Sequence, residues 1–314
     1  QIIVAIIRTM DRFAEMQTFL SVVDAGSITA AAERLDLAKS VVSRRLAELE
    51  LRLDVQLFQR TTRKLNLTES GRSFYQHAQR VIADLEEAER AVTQEHGALK
   101  GKIRAALPLS FGLLHLAPAI DVFMQAHPEI EFELDFNDRQ IDLIQEGFDL
   151  AVRITQLDDS SLIARKIAPV RRTICASPDY LRRHGTPEHP RQLSEHVGLG
   201  YSNIAEPGLW SYIDRDGTPR RVKIPLKLTA NNGEFLARAA IAGHGIIIAP
   251  TFYTYHAIRR GELKIILDDF DWRAINVYAV YPHTRHLSTR VRAFIDFLIE
   301  RFAGVPYWDR EIDA

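Results

Sequence analysis

The sequence is poor in cysteine, with Cys175 as the single thiol among 314 residues. One thiol excludes an internal disulfide framework and an internal two-cysteine redox switch, and it fits a reducing compartment. Cys175 is therefore interpreted as a small apolar core residue. No cofactor or metal is expected, because His184, His189 and His196 lack cysteine or carboxylate ligands at the spacing of a zinc site.

The chain also has no large excess of positive or negative charge. The chain has 40 Lys and Arg against 41 Asp and Glu, a formal net charge of -1, although local clusters can still be strongly signed. The N-terminal stretch QIIVAIIRT is apolar but too short to span a bilayer, and neither a basic residue before it nor an Ala-x-Ala site after it marks a signal peptide. No membrane association and a cytoplasmic location are expected. Met10 looks like a natural start, with residues 1–9 as an upstream extension.

The local signatures of several enzyme classes are absent. The sequence has no Gly-x-Ser-x-Gly, Gly-x-Gly-x-x-Gly, phosphate-binding loop or His-Glu-x-x-His pattern. A catalytic set spread along the chain would leave no such signature. The protein is therefore predicted not to be an enzyme, with an enzyme kept as the minor alternative.

The composition, 46% hydrophobic and 26% charged, is that of a globular protein, and the length predicts two or three domains. The first of them begins with three helical patterns. Apolar residues recur at helical spacing from Phe13 to Val23, and Gly26 ends that helix. Ser27 or Thr29 can cap the next helix. The third helix has an inward stripe: Val42, Leu46, Leu49 and Leu53.

The opposite face of the third helix is small, polar and basic. Ser40, Arg44 and Ala47 lie nearly opposite the stripe, at about 100° per residue. This layout fits the DNA major groove, because short side chains allow close approach while hydroxyls and arginine contact base edges. A solvated charged face is the alternative interpretation.

The stretch VQLFQRTTRKLNLTE alternates apolar and polar residues and predicts a two-stranded wing with a cationic tip. From Arg34 to Lys64 there are eight Lys and Arg against four Asp and Glu, a local charge of +4. Such a cluster is the electrostatic footprint that phosphate binding requires.

The stretch GSITAAAERLDLAKSVVSRRLAELELRLDVQLFQRTTRKLNLTESG resembles the winged helix-turn-helix of LysR-type transcriptional regulators, and the similarity runs from about Met10 to Gly71. The resemblance implies double-stranded DNA as a partner. At Ala38, where the family often has serine, the helix loses a capping hydroxyl worth roughly 1 kcal/mol. The predicted DNA-binding residues are Ser27, Thr29, Lys39, Ser40, Val41, Ser43, Arg44, Arg60, Thr62 and Arg63.

A heptad pattern follows the wing and predicts a two-helix seam. Two DNA-binding domains joined in this way would contact two DNA half-sites. Binding of the first domain would raise the effective concentration of the second at its half-site, so their binding free energies combine. A helix packed on its own domain is the alternative, although the resemblance also implies dimerisation through a linker helix here. The predicted dimerisation residues are Phe74, Ala78, Val81, Leu85, Ala88 and Val92.

After Gly101 strand-like and helical stretches alternate, which predicts mainly parallel sheets covered on both faces. The resemblance implies a two-lobed, periplasmic-binding-protein-like effector domain, and FNDRQIDLIQEGFDLAVRI and AAIAGHGIIIAP are its most family-like stretches. The predicted domains are 10–68 (winged helix-turn-helix), 69–97 (linker and dimerisation helix) and 98–304 (effector binding). The first lobe is predicted at about 102–166 and 272–303, and the second at about 167–271.

Ligands of open α/β sheets bind outside the carboxyl ends of strands, against helix N-termini. Polar residues at such junctions predict a cleft for a small polar effector, with a carboxylate as one candidate. Helix capping and turn formation are the alternative roles for each residue taken alone. The predicted effector-binding residues are Leu109, Ser110, Phe111, Asn137, Thr155, Ser177, Tyr201, Asn203, Asn231 and Asn232.

The predicted fold is thus an all-α winged helix-turn-helix head with a linker helix, followed by an α/β two-lobed periplasmic-binding-protein-like effector domain. The predicted function is a ligand-responsive, bacterial-type transcriptional regulator that binds an imperfect inverted repeat as a homodimer or homotetramer. RNA polymerase is an expected partner. An architectural DNA-binding protein without a ligand is the main alternative.

Overall fold

The computed structural model describes residues 2–59, 66–92, 98–139, 141–155, 162–282 and 287–313. The chain divides into two compact units, residues 1–97 and 98–314. The predicted wing residues Arg60, Thr62 and Arg63 lie outside the described residues. The side chains of Ala88 and Val92 also lie outside them.

The described part of the first unit combines helices with a short strand pair. Its elements are α1 (Ile2–Ala25), α2 (Ile28–Arg34), α3 (Lys39–Leu53), β1 (Phe58–Gln59), β2 (Asn66–Leu67) and α4 (Glu69–Val92). Antiparallel pairing of Phe58 with Leu67 confirms the predicted two-stranded wing. α1 begins at Ile2 rather than near Asp11, because neither glycine nor proline interrupts the apolar stretch before it.

The core of the first unit lies where α1, α2 and α3 meet. Val42, Leu46 and Leu49 are buried, which confirms the inward stripe, whereas Leu53 is half-buried. Phe19 of α1 is fully buried, and its ring centroid lies 5.3 Å from that of Phe58. The packing of α1 therefore fixes both the third helix and the base of the wing.

The second unit consists of two lobes, and the chain passes from one lobe to the other twice. Its first half comprises β3 (Gly101–Leu107), α5 (Leu109–Phe111), a π-helical turn (Gly112–Leu116), α6 (Ala117–Ala126), β4 (Ile130–Phe136), α7 (Leu143–Glu146), β5 (Leu150–Thr155), β6 (Leu162–Val170), β7 (Arg172–Ala176) and α8 (Pro178–His184). After a 3-10 turn (Pro190–Glu195) come β8 (Gly198–Tyr201), β9 (Leu209–Ile213), β10 (Pro219–Lys223), β11 (Leu226–Ala230), α9 (Gly233–Ile241), β12 (Ile247–Pro250), α10 (Thr251–Arg259), β13 (Lys264–Ile266), β14 (Ile275–Pro282), α11 (Thr289–Arg301) and α12 (Tyr307–Asp313).

The first lobe is built on a five-stranded sheet in the order β4–β3–β5–β14–β6. β3 is parallel to β4 and β5, and β14 is antiparallel to both β5 and β6. All strands except β14 therefore share one direction, which agrees with the predicted mainly parallel sheet. The segment Leu109–Ala126 is long and apolar enough to cross a membrane, but Phe111, Leu116 and Phe123 pack into the core of this lobe.

The second lobe is more mixed than predicted. β7 pairs antiparallel with β12 and β13, β8 is parallel to β11, and β9 and β10 form a hairpin. The stretch VKIPLKLTA is divided between β10 and β11. Pro225 lies at the break, because proline has no amide hydrogen to continue a ladder.

The chain crosses between the lobes after Val170 and again before Ile275. β6 pairs with β14 along its whole length, so the first crossing lies later than the boundary predicted at residue 166. Arg172 joins the two crossings, since Nε donates to the carbonyl oxygen of Arg273 at 2.9 Å and Nη2 donates to that of Trp272 at 2.5 Å. The two connections are thus held side by side.

Cys175 is fully buried in the second lobe, which confirms its interpretation as a core residue. Its Sγ lies 3.2 Å from Thr173 Oγ1. Burial raises the pKa of the Cys175 thiol to about 12, so the neutral thiol is the stable form.

The C-terminal helix α12 packs against the first lobe and α10. Trp308 is fully buried, and its ring lies 4.4 Å from that of His115 in the π-helical turn. His115 Nδ1 lies 2.5 Å from the Tyr307 hydroxyl, and Nε2 lies 3.0 Å from the carbonyl oxygen of Phe252. A carbonyl only accepts, so Nε2 carries the proton and Nδ1 accepts from Tyr307.

We predict that His115 makes the second unit sensitive to acid. Burial lowers the pKa of His115 from 6.5 to about 4, so its stabilising contribution is present above pH 6.5 and is lost as the pH falls towards 4. The expected loss is on the order of 3 kcal/mol. Urea unfolding should be followed by tryptophan fluorescence, because Trp210, Trp272 and Trp308 all lie in this unit.

The matched variant is His115→Asn, which cannot titrate. Its free energy of unfolding should fall less than that of the parent between pH 7 and pH 4. Equal losses in the two proteins would show that His115 is not the acid-sensitive group.

Candidate nucleic-acid interface and ligand cleft

The outward face of α3 is exposed along the positions predicted to contact DNA. Lys39, Ser40, Ser43 and Arg44 are exposed, while Val41 is half-buried. The N-cap residue Ala38 makes no side-chain capping bond, as its methyl group dictates. The helix therefore presents small polar groups and two cations, and the N-cap side chain does not cap its first turn.

Ser27 and Thr29 begin α2 in different roles. The Ser27 hydroxyl accepts the amide hydrogen of Ala30 at 3.0 Å and caps the helix. Thr29 is exposed. Ser27 is thus engaged within the protein, and Thr29 is the more accessible of the two predicted DNA contacts.

Not all the cations of this region are available to a phosphate. Arg52 donates to the buried carboxylate of Glu15 at 2.6 Å, and Arg45 donates to Thr18 Oγ1 at 3.3 Å. Arg44 lies 3.8 Å from Glu48, but both side chains are well exposed, so this pair is weak. The local charge counted from the sequence therefore overstates the cations that remain free for DNA.

Sequence reasoning missed the contact that positions the wing. Glu50, counted only as an acid, accepts the amide hydrogens of Leu57 at 2.7 Å and Phe58 at 3.2 Å. At Gly71 an added Cβ would lie 2.1 Å from the Leu57 carbonyl oxygen, so α4 approaches the wing base as closely as glycine allows. A hydrogen bond between a side chain and the backbone amide seven residues later leaves no periodic signal in the sequence.

The first part of the predicted seam on α4 packs against the chain's own head. The Phe74 ring lies 5.3 Å from that of Phe19, and Ala78 is buried. Tyr75 donates to the Asp24 carboxylate at 2.5 Å, and burial raises the Tyr75 pKa to about 12. Packing on its own domain, kept as the alternative, thus accounts for the start of the helix. Val81 is exposed and Leu85 is half-buried.

Polar groups from the two lobes of the second unit meet at two points. Asn232 Nδ2 lies 3.5 Å from Ser110 Oγ, at the limit of a hydrogen bond. Asn203 Nδ2 donates to the backbone oxygen of Asp138 and to the Tyr201 hydroxyl, both at 3.2 Å. These contacts bring predicted effector-binding residues of both lobes together across a cleft.

Other predicted effector-binding residues serve the protein's own packing. Phe111 is fully buried between Phe252 and Trp308. The Ser177 hydroxyl caps α8 by accepting the Tyr180 amide hydrogen at 3.2 Å and is itself buried. For these two residues the structure favours the packing and capping alternatives.

The remaining predicted residues lie at the ends of strands and helices. The side-chain oxygen Oδ1 of Asn137 accepts the amide hydrogen of Arg139, and Oδ1 of Asn232 caps α9 by accepting the amide hydrogen of Phe235. Thr155 and Asn231 are exposed.

Asp138 and Tyr253 complete the cleft. Asp138 Oδ1 accepts the Leu109 amide hydrogen at 3.0 Å. Burial raises the pKa of Asp138, against the lowering effects of that bond and of the Arg153 charge. Tyr253 lies near Tyr201, Glu234 and Asp138, and burial raises its pKa. Tyr253 gave no sequence signal, because it lies inside a helix rather than at a strand end.

Two family models match the chain along most of its length. Residues 13–72 match the bacterial regulatory helix-turn-helix protein model of the lysR family, and residues 96–303 match the LysR substrate binding domain. The chain belongs to the LysR family of transcriptional regulators. Both the winged helix-turn-helix head and the effector-binding domain expected from the sequence are thereby established.

Similar proteins support the assignment to the LysR family. The chain is 38% identical to an uncharacterised HTH-type transcriptional regulator of Haemophilus influenzae over 90% of its own length and 98% of the relative. It is 35% identical to the regulator CrgA of Neisseria meningitidis serogroup C, over 92% and 97% of the two chains. These relatives are regulators, which counts against the alternative of an enzyme.

Solved structures of LysR-type regulators have the same architecture. CrgA from Neisseria meningitidis superposes with a TM-score of 0.59 at 34% identity, covering 93% of this chain and 99% of CrgA. The Vibrio cholerae virulence activator AphB gives a TM-score of 0.57 at 29% identity, covering 92% and 99%. The predicted fold class is thus confirmed over both units.

We predict that Ser27 stabilises α2 through its capping bond. Ser27→Ala leaves the Ala30 amide hydrogen without its acceptor and should cost about 1 kcal/mol of local stability. Hydrogen exchange of the α2 amides should then be about five-fold faster. Thr29→Ala, at an exposed neighbour, is the matched control and should leave exchange unchanged. Similar exchange in both variants would contradict the capping role.

Proposed function

We propose that the chain represses or activates transcription by binding an imperfect inverted repeat through α3, as a homodimer held by α4. The observation that carries the proposal is the division of α3 into a buried apolar stripe and an exposed face of Ser40, Ser43 and Arg44. A helix with such a face fits the major groove. Family membership supplies the DNA-binding function, and the geometry of α3 supports the proposed choice of DNA-binding residues.

We predict that Arg44→Ala weakens specific binding to an operator selected from random duplexes. A bidentate arginine contact with a base is worth about 1–3 kcal/mol, so the affinity should fall by about ten-fold or more. Fluorescence anisotropy with specific and scrambled duplexes at several salt concentrations separates base recognition from phosphate binding. Arg191→Ala, an exposed cation of the second unit, is the matched control. An unchanged ratio of specific to scrambled affinity in Arg44→Ala would refute the assignment of Arg44.

The proposed dimer uses the part of α4 that the head leaves uncovered. Phe74 and Ala78 pack on the chain's own core, and the same stripe continues to the exposed Val81 and the half-buried Leu85. The heptad spacing carries this stripe onward along the helix. A second copy of α4 would bury both side chains.

We predict that Leu85→Lys dissociates the dimer, because it places a charge in an apolar seam. Sedimentation velocity should show a shift from twice the chain mass to the chain mass. Ser73→Lys, which adds the same charge at an exposed position of the same helix, should leave the mass unchanged. A dimer that persists in Leu85→Lys would place the interface elsewhere.

The effector is proposed to bind between the lobes of the second unit, where Ser110 approaches Asn232 and Asp138 approaches Asn203. Binding there would change how the lobes pack and hence the spacing or bend imposed on DNA. An effector cleft favours this regulator over an architectural protein without a ligand. That the effector carries a carboxylate stays a prediction from the sequence.

A tetramer, contact with RNA polymerase and a cytoplasmic location belong to the same proposal. Two α4-linked dimers would bind adjacent half-site pairs, and a promoter-bound regulator lies within reach of polymerase. Duplex DNA and the reduced, buried Cys175 both fit the cytoplasm.

A further inference from the structure

The angle at which α4 leaves the winged helix-turn-helix head bears on the DNA that a dimer can bind. α4 has 24 residues and is about 36 Å long, so a tilt of about 10° at its first turn displaces its far end by about 6 Å. One base pair lengthens DNA by about 3.4 Å and rotates it by about 35°. The attachment of α4 to the head therefore affects which half-site spacing fits. This inference rests on the proposed dimer and inverted repeat.

The first turn of α4 is held against the base of the wing. The Thr68 hydroxyl, just before the helix, donates to the carbonyl oxygen of Gln56 at 2.7 Å and accepts the amide hydrogen of Gly71 at 2.9 Å. The Arg72 guanidinium donates to the Leu67 carbonyl oxygen at 3.0 Å. These bonds fix the point where α4 begins, but a helix held through its first turn can still tilt about that point.

The second turn of α4 packs on the fully buried ring of Phe19 in α1. The ring centroids of Phe74 and Tyr75 lie 5.3 Å and 6.5 Å from that of Phe19. Apolar packing is non-directional, so these rings resist separation of the two helices more strongly than they resist a change of angle. A directional contact between the helices would select one angle.

Such a contact joins the end of α1 to the second turn of α4. The Tyr75 hydroxyl donates to Asp24 Oδ1 at 2.5 Å and accepts a hydrogen from Gln79 Nε2 at 2.8 Å. A carboxylate only accepts, so the hydroxyl uses its single hydrogen on Asp24 and a lone pair on Gln79. Its direction is therefore determined on both sides. The hydrogen bonds from Gln79 to Tyr75 and from Tyr75 to Asp24 make the contact between the two helices directional.

The position of Asp24 is unfavourable for α1 taken by itself. The C-terminal end of a helix carries partial negative charge, which repels a carboxylate in the last turn. The last turn of α1 contains no lysine, arginine or histidine to offset this repulsion. The Tyr75 hydroxyl supplies a hydrogen-bond donor from α4 instead. Asp24 is thus explained by its contact with α4 rather than by the stability of its own helix.

We propose that the hydrogen bond between Tyr75 and Asp24 sets the angle between the head and α4, and thereby the half-site spacing that the dimer selects. Tyr75 is in this role a positioning residue, because it acts on DNA binding through the placement of α3. A duplex with the wrong spacing requires this bond to strain or break in at least one copy of the chain. The bond thus converts a difference in spacing into a difference in affinity.

We predict that Tyr75→Phe relaxes the spacing requirement, because it keeps the ring that packs on Phe19 and loses the hydroxyl. Fluorescence anisotropy with full-length protein should compare a selected operator, versions with a spacer one base pair shorter or longer, and a single half-site. Asp24 is exposed, so water competes for the bond, and the affinity lost on changing the spacer should be about five-fold smaller in Tyr75→Phe. Affinity for the single half-site should be unchanged.

Variants of Asp24 test the same bond from its other side. Asp24→Ala removes the acceptor and should reproduce the spacing profile of Tyr75→Phe, whereas Asp24→Asn keeps an acceptor oxygen and should lie closer to the parent. Tyr278→Phe, which removes a tyrosine hydroxyl from β14 in the second unit, is the matched control and should keep the parent's profile. If Tyr75→Phe does not fold, the two Asp24 variants decide.

A parent-like dependence of affinity on spacing in Tyr75→Phe or in Asp24→Ala would overturn this inference and leave the proposed function standing. So would an equal loss of affinity for the single half-site and for every spacing, because Tyr75 would then support only the fold of the head. A parent that binds its operator specifically but tolerates every spacing would also contradict the inference. Failure of the parent to bind any duplex specifically, or a monomer in sedimentation velocity, would overturn the proposed function as well.

Discussion

The proposed effector cleft depends on the two hydrogen bonds by which Arg172 joins the crossings between the lobes. Its guanidinium donates to the carbonyl oxygens of Trp272 and Arg273, so the outgoing and returning strands stay adjacent. Arg273 has a positive φ of 51°, an uncommon conformation for a residue with a side chain, which this contact helps to hold. With the crossings fixed, the lobes can approach each other elsewhere, where Asn203 meets Asp138 and Asn232 meets Ser110.

The elements of the head could be predicted because their signals are local. The stripe of Val42, Leu46 and Leu49 needs only helical periodicity, and Gly26, with its positive φ of 66°, ends α1 as the sequence indicated. In the body, strands such as β4 and helices such as α8 alternate as predicted, but the local sequence pattern of β6 is weak. Its sequence LIARKIAPV places Arg165, Lys166 and Pro169 in an edge strand, where tertiary pairing with β14 outweighs a weak local pattern.

Site residues were harder to predict than elements, for a physical reason. Asn203 and Asp138 are 65 residues apart, and Ser110 and Asn232 are 122 apart, so only the folded chain shows that they meet. Ser177 follows a strand and precedes a helix as Ser110 does, yet its hydroxyl caps α8. Periodicity likewise predicted the stripe on α4 but not what covers it: Phe19 covers Phe74, while Val81 is left exposed. An apolar stripe on a helix predicts that this surface is buried, but it does not identify the surface that covers it.

The burial of the lone thiol has a practical consequence. Cys175 is fully buried, and its pKa of about 12 keeps the thiolate, the form that alkylating reagents attack, scarce at neutral pH. Cysteines introduced at exposed sites can therefore be labelled selectively with maleimide dyes or nitroxides on the native background. Distances within each unit, and between copies of the chain, become measurable in solution without first removing a core side chain.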